Sequence, residues 1–77
     1  MILSIKYFGL LVEITGCSEE KIEFSGKSIS ELKTILFQKY EMLKNKDFQI
    51  AQNNELTTNE SIIIATEIAL LPPFAGG

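Results

Sequence analysis

The chain opens on an alternation of apolar and polar residues. Leu3, Ile5 and Tyr7 share one face of residues 2–8, and the positions between them are mostly polar. A period of two is typical of a strand with one buried face, so the pattern predicts a first strand with these three side chains directed inward. Phe8 falls on the opposite face, where an apolar side chain interrupts the polar positions.

The next two segments predict a short helix and a second strand. Residues 10–14 predict one or two helical turns, and Gly16 follows where a residue in the left-handed conformation would end them. After a polar loop, alternation resumes over residues 21–24. We therefore expect the first two strands to pair as an antiparallel hairpin with a long connection.

A capping motif marks the start of the main helix. Ser28 and Glu31 have the spacing of a capping box, in which each side chain bonds the backbone amide of the other residue. Apolar residues then recur at helical spacing and form one stripe, made of Ile29, Leu32, Ile35, Leu36 and Tyr40. This stripe predicts a helix that covers one face of a sheet.

The C-terminal half predicts three further strands. Residues 48–52 predict the third strand, and Asn53 and Asn54 predict a turn after it because asparagine tolerates positive φ. Residues 62–64 predict a short edge strand, and residues 67–71 predict the last strand.

This order of elements predicts an α+β fold. If the last strand pairs parallel to the first in the centre of the sheet, the result is a β-grasp (ubiquitin-like) fold, a mixed sheet covered by one main helix. We expect residues 1–77 to form a single domain in which residues 72–77 are a flexible C-terminal tail.

Composition removes several classes of function. The 77 residues allow one modest core, and they include no histidine, arginine or tryptophan and a single cysteine, Cys17. These counts exclude a disulfide within the chain, a Cys/His metal site and a Ser-His-Asp or Cys-His nucleophile system, so no metal is expected. Side-chain catalysis has almost no candidates.

Charge and hydropathy restrict the partners and the compartment. The net charge is −3, and the seven lysines form no basic run, which argues against nucleic acid and against an anionic membrane surface. The apolar stretches are far shorter than the roughly 20 residues that cross a bilayer, and the N-terminus lacks the features of a signal peptide. We expect a cytoplasmic protein.

The C-terminal residues are the most informative functional signal. Gly76 and Gly77 carry no side chain, so chemistry at this end must use the α-carboxylate of Gly77. Pro72 and Pro73 favour an extended chain, and six residues then reach roughly 20 Å. The tail is apolar around Phe74, whereas an ordinary frayed terminus is usually polar. A tail that enters a partner's active site is predicted, and a functionless frayed end is the alternative.

The two ends of the chain resemble one known family. Residues 70–77 read Leu-Leu-Pro-Pro-Phe-Ala-Gly-Gly, which resembles the ending of the small subunit of molybdopterin synthase, the sulfur carrier of molybdenum-cofactor synthesis. Residues 7–16 resemble that family's opening strand, short helix and glycine. The chain departs from the pattern at Val12, where the family commonly has arginine before the acidic Glu13, and at residues 65–67, where the family has a Gly-Asp-acidic turn.

The resemblance implies a mechanism centred on Gly77. An E1-like activating enzyme would use ATP to adenylate the Gly77 carboxylate, and a persulfide donor would supply sulfur for a C-terminal thiocarboxylate. The tail would then enter the large subunit of molybdopterin synthase, in a heterotetramer, and pass sulfur to cyclic pyranopterin monophosphate. The resemblance also implies that Gly76 must lack a side chain for the tail to enter. The acid and base groups would belong to the large subunit, and the carrier itself would bind no cofactor permanently.

The predicted outer face of the sheet suggests where partners bind. Ala69 and Leu71 on the last strand are expected to lie beside Phe8, and an apolar outer face usually marks an interface. The predicted partner-binding residues are Phe8, Leu71, Pro72, Pro73, Phe74 and Ala75. The alternative is that residues 62–64 cover this face.

Three other functions fit the same residues. The first is a sulfur carrier of another pathway, such as thiamine synthesis. The second is a ubiquitin-like modifier that forms amides with lysines. The third is a β-grasp binding module whose tail has no sulfur role.

Overall fold

The computed structural model describes residues 1–73. The elements, in chain order, are β1 (Ile2–Tyr7), α1 (Leu10–Thr15), β2 (Glu19–Glu23), α2 (Ile29–Lys39), a 3₁₀ helix (Glu41–Asn45), β3 (Gln49–Gln52), β4 (Glu55–Leu56) and β5 (Glu67–Leu71). The strands form one sheet in the order β2-β1-β5-β3-β4. Only the β1–β5 pair within this sheet is parallel, and the other pairs are antiparallel. The predicted β-grasp fold, with its first and last strands paired in the centre, is confirmed.

The core lies between the inner face of the sheet and α2. Leu3, Ile5 and Tyr7 are buried on β1, and Ile68 and Leu70 are buried beside them on β5. The helix contributes the buried side chains of its predicted stripe, Ile29, Leu32 and Leu36. Strands β1, β3 and β5 therefore bury alternate residues and leave the others on the outer face of the sheet.

The capping box is present at the start of α2. The Ser28 hydroxyl accepts a hydrogen bond from the Glu31 amide at 3.3 Å, and the Ser28 amide donates to the Glu31 carboxylate at 3.1 Å. The Ile29 amide, which has no partner inside the helix, donates to the Ser61 carbonyl at 2.9 Å. The helix start is thus joined to the loop that precedes β5.

The short N-terminal elements agree with the predictions apart from their ends. α1 ends at Gly16, which has φ 79° and ψ 8° and is left-handed as expected. β2 begins two residues before the predicted strand and ends at Glu23, while Phe24 is buried just beyond it.

The predicted edge strand at residues 62–64 is wrong. These residues form only an isolated bridge between Ser28 and Ile62, and the edge of the sheet is β4 instead. Asn53 and Asn54 explain the difference, because their φ angles of 52° and 64° close a tight hairpin that returns the chain along β3. β4 therefore occupies the edge that residues 62–64 would need.

Candidate functional site: the tail exit and the outer sheet face

The tail leaves the sheet at the end of its two central strands. Tyr7 pairs with Leu70 in the parallel register, so Phe8 and Leu71 follow side by side at the same end. The Phe8 amide donates to the Leu70 carbonyl at 3.2 Å, which extends the pairing past β1. The first residues of the tail are therefore held by the most central part of the sheet.

Pro72 is seated against the turn between β1 and α1. Gly9 has φ +60° there, and a Cβ atom built on it would lie 2.8 Å from Pro72 Cγ. Pro72 is half-buried, whereas Pro73 is exposed. Both prolines border a small depression of about 70 Å³ whose other lining residues are Leu10, Leu11, Ile14, Lys46 and Asp47. The base of the tail thus contacts α1, a position that the sequence did not predict.

An open groove, largely apolar in its lining, lies along β5 on the outer sheet face. Phe8 is 45% exposed at the end near the tail, and Ile64 is 72% exposed at the other end. The groove has a volume of about 830 Å³, and its apolar lining consists of Phe8, Ala51, Leu56, Ile64, Ala65, Ala69 and Leu71. The alternative that residues 62–64 cover this face is wrong, because Ile64 borders the groove and leaves Phe8 accessible.

The outer face beside the groove, on β1 and β2, is polar. The Lys6 ammonium lies 3.2 Å from the Glu67 carboxylate across β1 and β5, and the Ser4 hydroxyl donates to Glu19 at 2.7 Å. The Lys6–Glu67 pair is substantially exposed and so contributes little to stability. It separates the apolar groove from the charged strand β2.

A hydrogen-bonded cluster lies on the inner face of β1 and β2. One Glu20 oxygen accepts from the hydroxyls of Tyr7 and Tyr40, at 2.5 and 2.6 Å, and the other accepts from the Lys39 ammonium at 2.5 Å. Burial alone would raise the pKa of Glu20, but these hydrogen bonds outweigh it and lower the pKa. Burial and the bond to Glu20 raise the pKa of the Tyr7 hydroxyl. This cluster is held in one protonation state and joins strands to helix, so we interpret it as structural.

One signal for that cluster is present in the sequence. Glu20 stands two residues before Ile22, and residues at this spacing on a strand share a face. Because Ile22 is buried, Glu20 is carried to the inner face, where an ionised carboxylate needs partners.

The structure brings together half of the predicted site residues. Phe8, Leu71, Pro72 and Pro73 lie around the tail exit. The remaining predicted residues, Phe74, Ala75, Gly76 and Gly77, lie outside the described residues. Sequence reasoning missed the contact of Gly9 with Pro72, and it also missed the place of Leu56 and Ile64 in the groove.

Comparison with protein families assigns the chain to a family. A model of the ThiS family matches residues 5–77, so the protein belongs to the ThiS family. The fold and the family together define a small ubiquitin-like domain of a sulfur-carrier family.

Three solved structures share this fold. A protein provisionally assigned as molybdopterin converting factor, subunit 1, of Pyrococcus furiosus has a TM-score of 0.87 and 21% identity, covering 96% of this chain and 99% of its own. SAMP1 from Haloferax volcanii has a TM-score of 0.79 and 19% identity, with 100% of both chains covered. A structure of the small archaeal modifier protein 1 of H. volcanii has a TM-score of 0.79 and 18% identity, covering 95% of this chain and 98% of its own. At these sequence identities the similarity shows a shared fold alone.

Within residues 1–73, no helix has the length and the apolar character needed to cross a membrane.

Proposed function

We propose that this protein is the sulfur-carrier subunit of a molybdopterin synthase. The observation that carries the proposal is the Leu-Leu-Pro-Pro-Phe-Ala-Gly-Gly ending, which follows directly from the central strand β5 beside an open apolar groove. The groove would dock on the large subunit in a heterotetramer, while the tail delivers its terminus to that subunit's active site. The carrier acts in the cytoplasm and binds no cofactor permanently.

The chemistry proceeds at the Gly77 carboxylate. A carboxylate lacks a good leaving group, so an E1-like enzyme transfers AMP from ATP to it and releases pyrophosphate. The terminal sulfur of a persulfide donor then displaces AMP and forms an acyl disulfide. A thiol cleaves the sulfur–sulfur bond and leaves a C-terminal thiocarboxylate on Gly77. Two loaded carriers supply the two sulfurs of the dithiolene formed on cyclic pyranopterin monophosphate.

The tail residues suit this delivery. The six residues of 72–77 reach roughly 20 Å when extended, which allows the terminus to enter a deep site while the domain stays on the surface. Gly76 and Gly77 lack Cβ atoms and can pass where other residues would collide. Phe74 and Ala75 would contact the walls of the partner's channel together with Pro72 and Pro73.

Mass spectrometry of the intact protein tests the proposal. The protein is incubated with an adenylating enzyme, ATP and a persulfide donor, and a variant lacking Gly76 and Gly77 serves as the control. We expect a species heavier by one sulfur-for-oxygen exchange, located at Gly77 by fragmentation and absent from the control. An unmodified mass under these conditions would exclude the sulfur-carrier role.

Substitution of either terminal glycine tests the need for a narrow tail. We expect Gly76→Val or Gly77→Val to abolish molybdopterin formation in a reconstituted assay, because the added side chain blocks approach of the adenylate and the pterin. The melting temperature is expected to stay unchanged. Near-normal product formation by either folded variant would contradict the mechanism.

The comparisons also support two other functions, which differ from the proposed one in the product formed from Gly77. The match to a ThiS family model supports a sulfur carrier for another pathway, such as thiamine synthesis. In that case the thiocarboxylate forms but the large subunit makes no dithiolene from it. The likeness to SAMP1 supports a modifier. A modifier would instead give amide-linked adducts between Gly77 and lysines of other proteins.

A further inference from the structure

Gln52 is the buried polar side chain of the described core, 9% exposed at the end of β3. Its carboxamide nitrogen donates to the Ile62 carbonyl at 2.8 Å. Its oxygen accepts from the amides of Ile64 and Ala65, at 2.9 and 3.3 Å. One side chain thus binds three backbone groups of the four-residue segment 62–65, which we name the Ile64 segment.

The Ile64 segment has few other backbone partners. β4 occupies the edge of β3, and the other backbone bond of the segment runs from the Ile63 amide to the Lys27 carbonyl at 2.8 Å, as part of the bridge between Ser28 and Ile62. The Gln52 carboxamide supplies a donor and an acceptor, as a neighbouring strand would. Because a buried polar group is costly without partners, this arrangement favours one position of the segment over others.

That position determines where Ile64 points. Ile63 is buried, whereas Ile64 is turned outward and borders the apolar groove close to Leu56. So exposed a side chain adds little to the stability of the free domain. The groove runs along β5, whose five residues span roughly 13 Å from Glu67 to Leu71, so Ile64, which precedes β5, lies at the end of the groove opposite the tail exit.

We propose that Gln52 is a positioning residue that holds Ile64 as the second anchor of the docking face, at the end opposite the tail. The inference rests on the proposed function and commits to one occupant, an apolar surface of the synthase large subunit. The groove is continuous from Ile64 to Phe8 and Leu71, where the tail leaves the sheet, so a partner that receives the tail also faces the groove. An apolar ridge on that partner complements this surface, and the Glu67 carboxylate in the lining is already paired with Lys6.

Two variants and their combination test the inference. Gln52→Leu removes the three hydrogen bonds and nearly keeps the volume, and Ile64→Ala truncates the proposed anchor. Amide hydrogen exchange is measured on each free protein, and affinity is measured for the purified large subunit. Melting temperatures establish that each variant is folded.

We expect Gln52→Leu to speed exchange of the Ile64 and Ala65 amides at least tenfold, with a smaller change at Ile68 and Leu70. We expect Ile64→Ala to weaken binding about tenfold, as a truncated anchor does, without altering exchange in β5. The double variant is expected to bind no more weakly than Ile64→Ala, since Gln52 acts through Ile64.

Several outcomes would overturn the inference. Unchanged exchange at Ile64 in Gln52→Leu would show that the carboxamide does not hold the segment. If Ile64→Ala binds the large subunit with wild-type affinity, Ile64 is not an anchor. If Gln52→Leu weakens binding by the same factor in the wild type and in the Ile64→Ala background, Gln52 has a general structural role instead. If the wild-type protein itself fails to bind the large subunit, the proposed function fails together with the docking role.

Discussion

Gly9 sets the position of the tail with a conformation that other residues rarely adopt. Its φ of 60° and ψ of −137° turn the chain from β1 into α1, and the absence of a side chain lets Pro72 pack against the turn. A single backbone position therefore serves both the start of a helix and the base of the tail.

Gly9→Ala is expected to displace Pro72 and slow sulfur transfer. The new Cβ would lie 2.8 Å from Pro72 Cγ, so the first residue of the tail must move. Stability is expected to fall by about 1–3 kcal/mol, because alanine is strained at this φ. The control is Gly16→Ala, which is also strained at φ +79° but has no atom within 4 Å of the added Cβ. Single-turnover sulfur transfer by folded protein is the measurement, and equal slowing by both variants would contradict the prediction.

Phe8→Asp is expected to weaken partner binding without unfolding the protein. Phe8 is nearly half exposed in the groove, so the free domain loses little packing when it is replaced. The bound complex would lose about 1–3 kcal/mol, the usual cost of an interface anchor. Met42→Asp is the matched control, since Met42 is an exposed apolar residue on the 3₁₀ helix. A large fall in melting temperature for Phe8→Asp alone would assign Phe8 to the core.

At the scale of elements, Glu20 joins β2 to β1 and to the end of α2. Its carboxylate accepts from Tyr7 on β1 and from Lys39 and Tyr40 at the helix end. Charge-assisted bonds of this kind are stronger than neutral ones, and they connect elements far apart in the chain. The cluster therefore fixes where the helix ends relative to the sheet.

Glu20→Gln is expected to destabilise the protein by about 1–2 kcal/mol near neutral pH, because neutral hydrogen bonds replace charged ones and one partner is left unpaired. Glu23→Gln is the control, since it removes the same charge from an exposed position on the same strand. Urea unfolding measures both free energies. Equal stability of the two variants would show that the cluster is not a structural tie.

The same cluster predicts a loss of stability in acid. The pKa of Glu20 is lower in the folded protein than its ordinary value near 4.5, so its contribution is present above that value and is lost as the pH falls through the folded pKa. We expect the free energy of unfolding of the wild type to decrease below about pH 4.5, and the decrease to be shallower in Glu20→Gln. Parallel pH profiles of the two proteins would contradict this assignment.

The sequence predicted the elements whose signals are local. Three such signals are the alternation of β1, the capping box of α2 and the pattern of β5. The residues that make up each signal lie within a few positions in sequence, and the structure confirms all three. The edge of the sheet could not be predicted in this way. The turn at Asn53 and Asn54 was predicted, but the two-residue strand after it has no periodic pattern of its own, and residues 62–65 are held by the distant side chain of Gln52.

The candidate site was predictable to the same extent. Phe8 and Leu71 could be placed together because both follow from the register of two adjacent strands. Ile64 and Gly9 could not, because their roles depend on where a loop and a proline pack in three dimensions. Local patterns thus predict faces of strands, and tertiary contacts decide what borders them.

For the whole molecule, the proposed docking face and the tail would together set the depth that Gly77 reaches in a partner. In the proposed complex the groove would hold the domain at the surface, and a fully extended tail of six residues could reach roughly 20 Å beyond β5. The proposed mechanism needs this length to match the distance from the docking site to the reacting centre.

Insertion of two glycines after Pro73 tests this match. The longer tail adds roughly 7 Å, so docking and adenylation are expected to continue while sulfur transfer slows. Affinity for the large subunit serves as the internal control, since the insertion leaves the groove unchanged. Transfer at the wild-type rate would show that the tail length is not matched to the partner.

The parallel pairing of β1 with β5 also determines how the domain responds to mechanical force. The four pairs from Ser4–Glu67 to Tyr7–Leu70 lie between the N-terminus and the tail, which leave this strand pair at opposite ends. A pull between the two ends loads these hydrogen bonds together in shear and does not open them one by one. A machine that threads the chain by its tail, against a held N-terminus, therefore meets its highest resistance at the first strand it reaches.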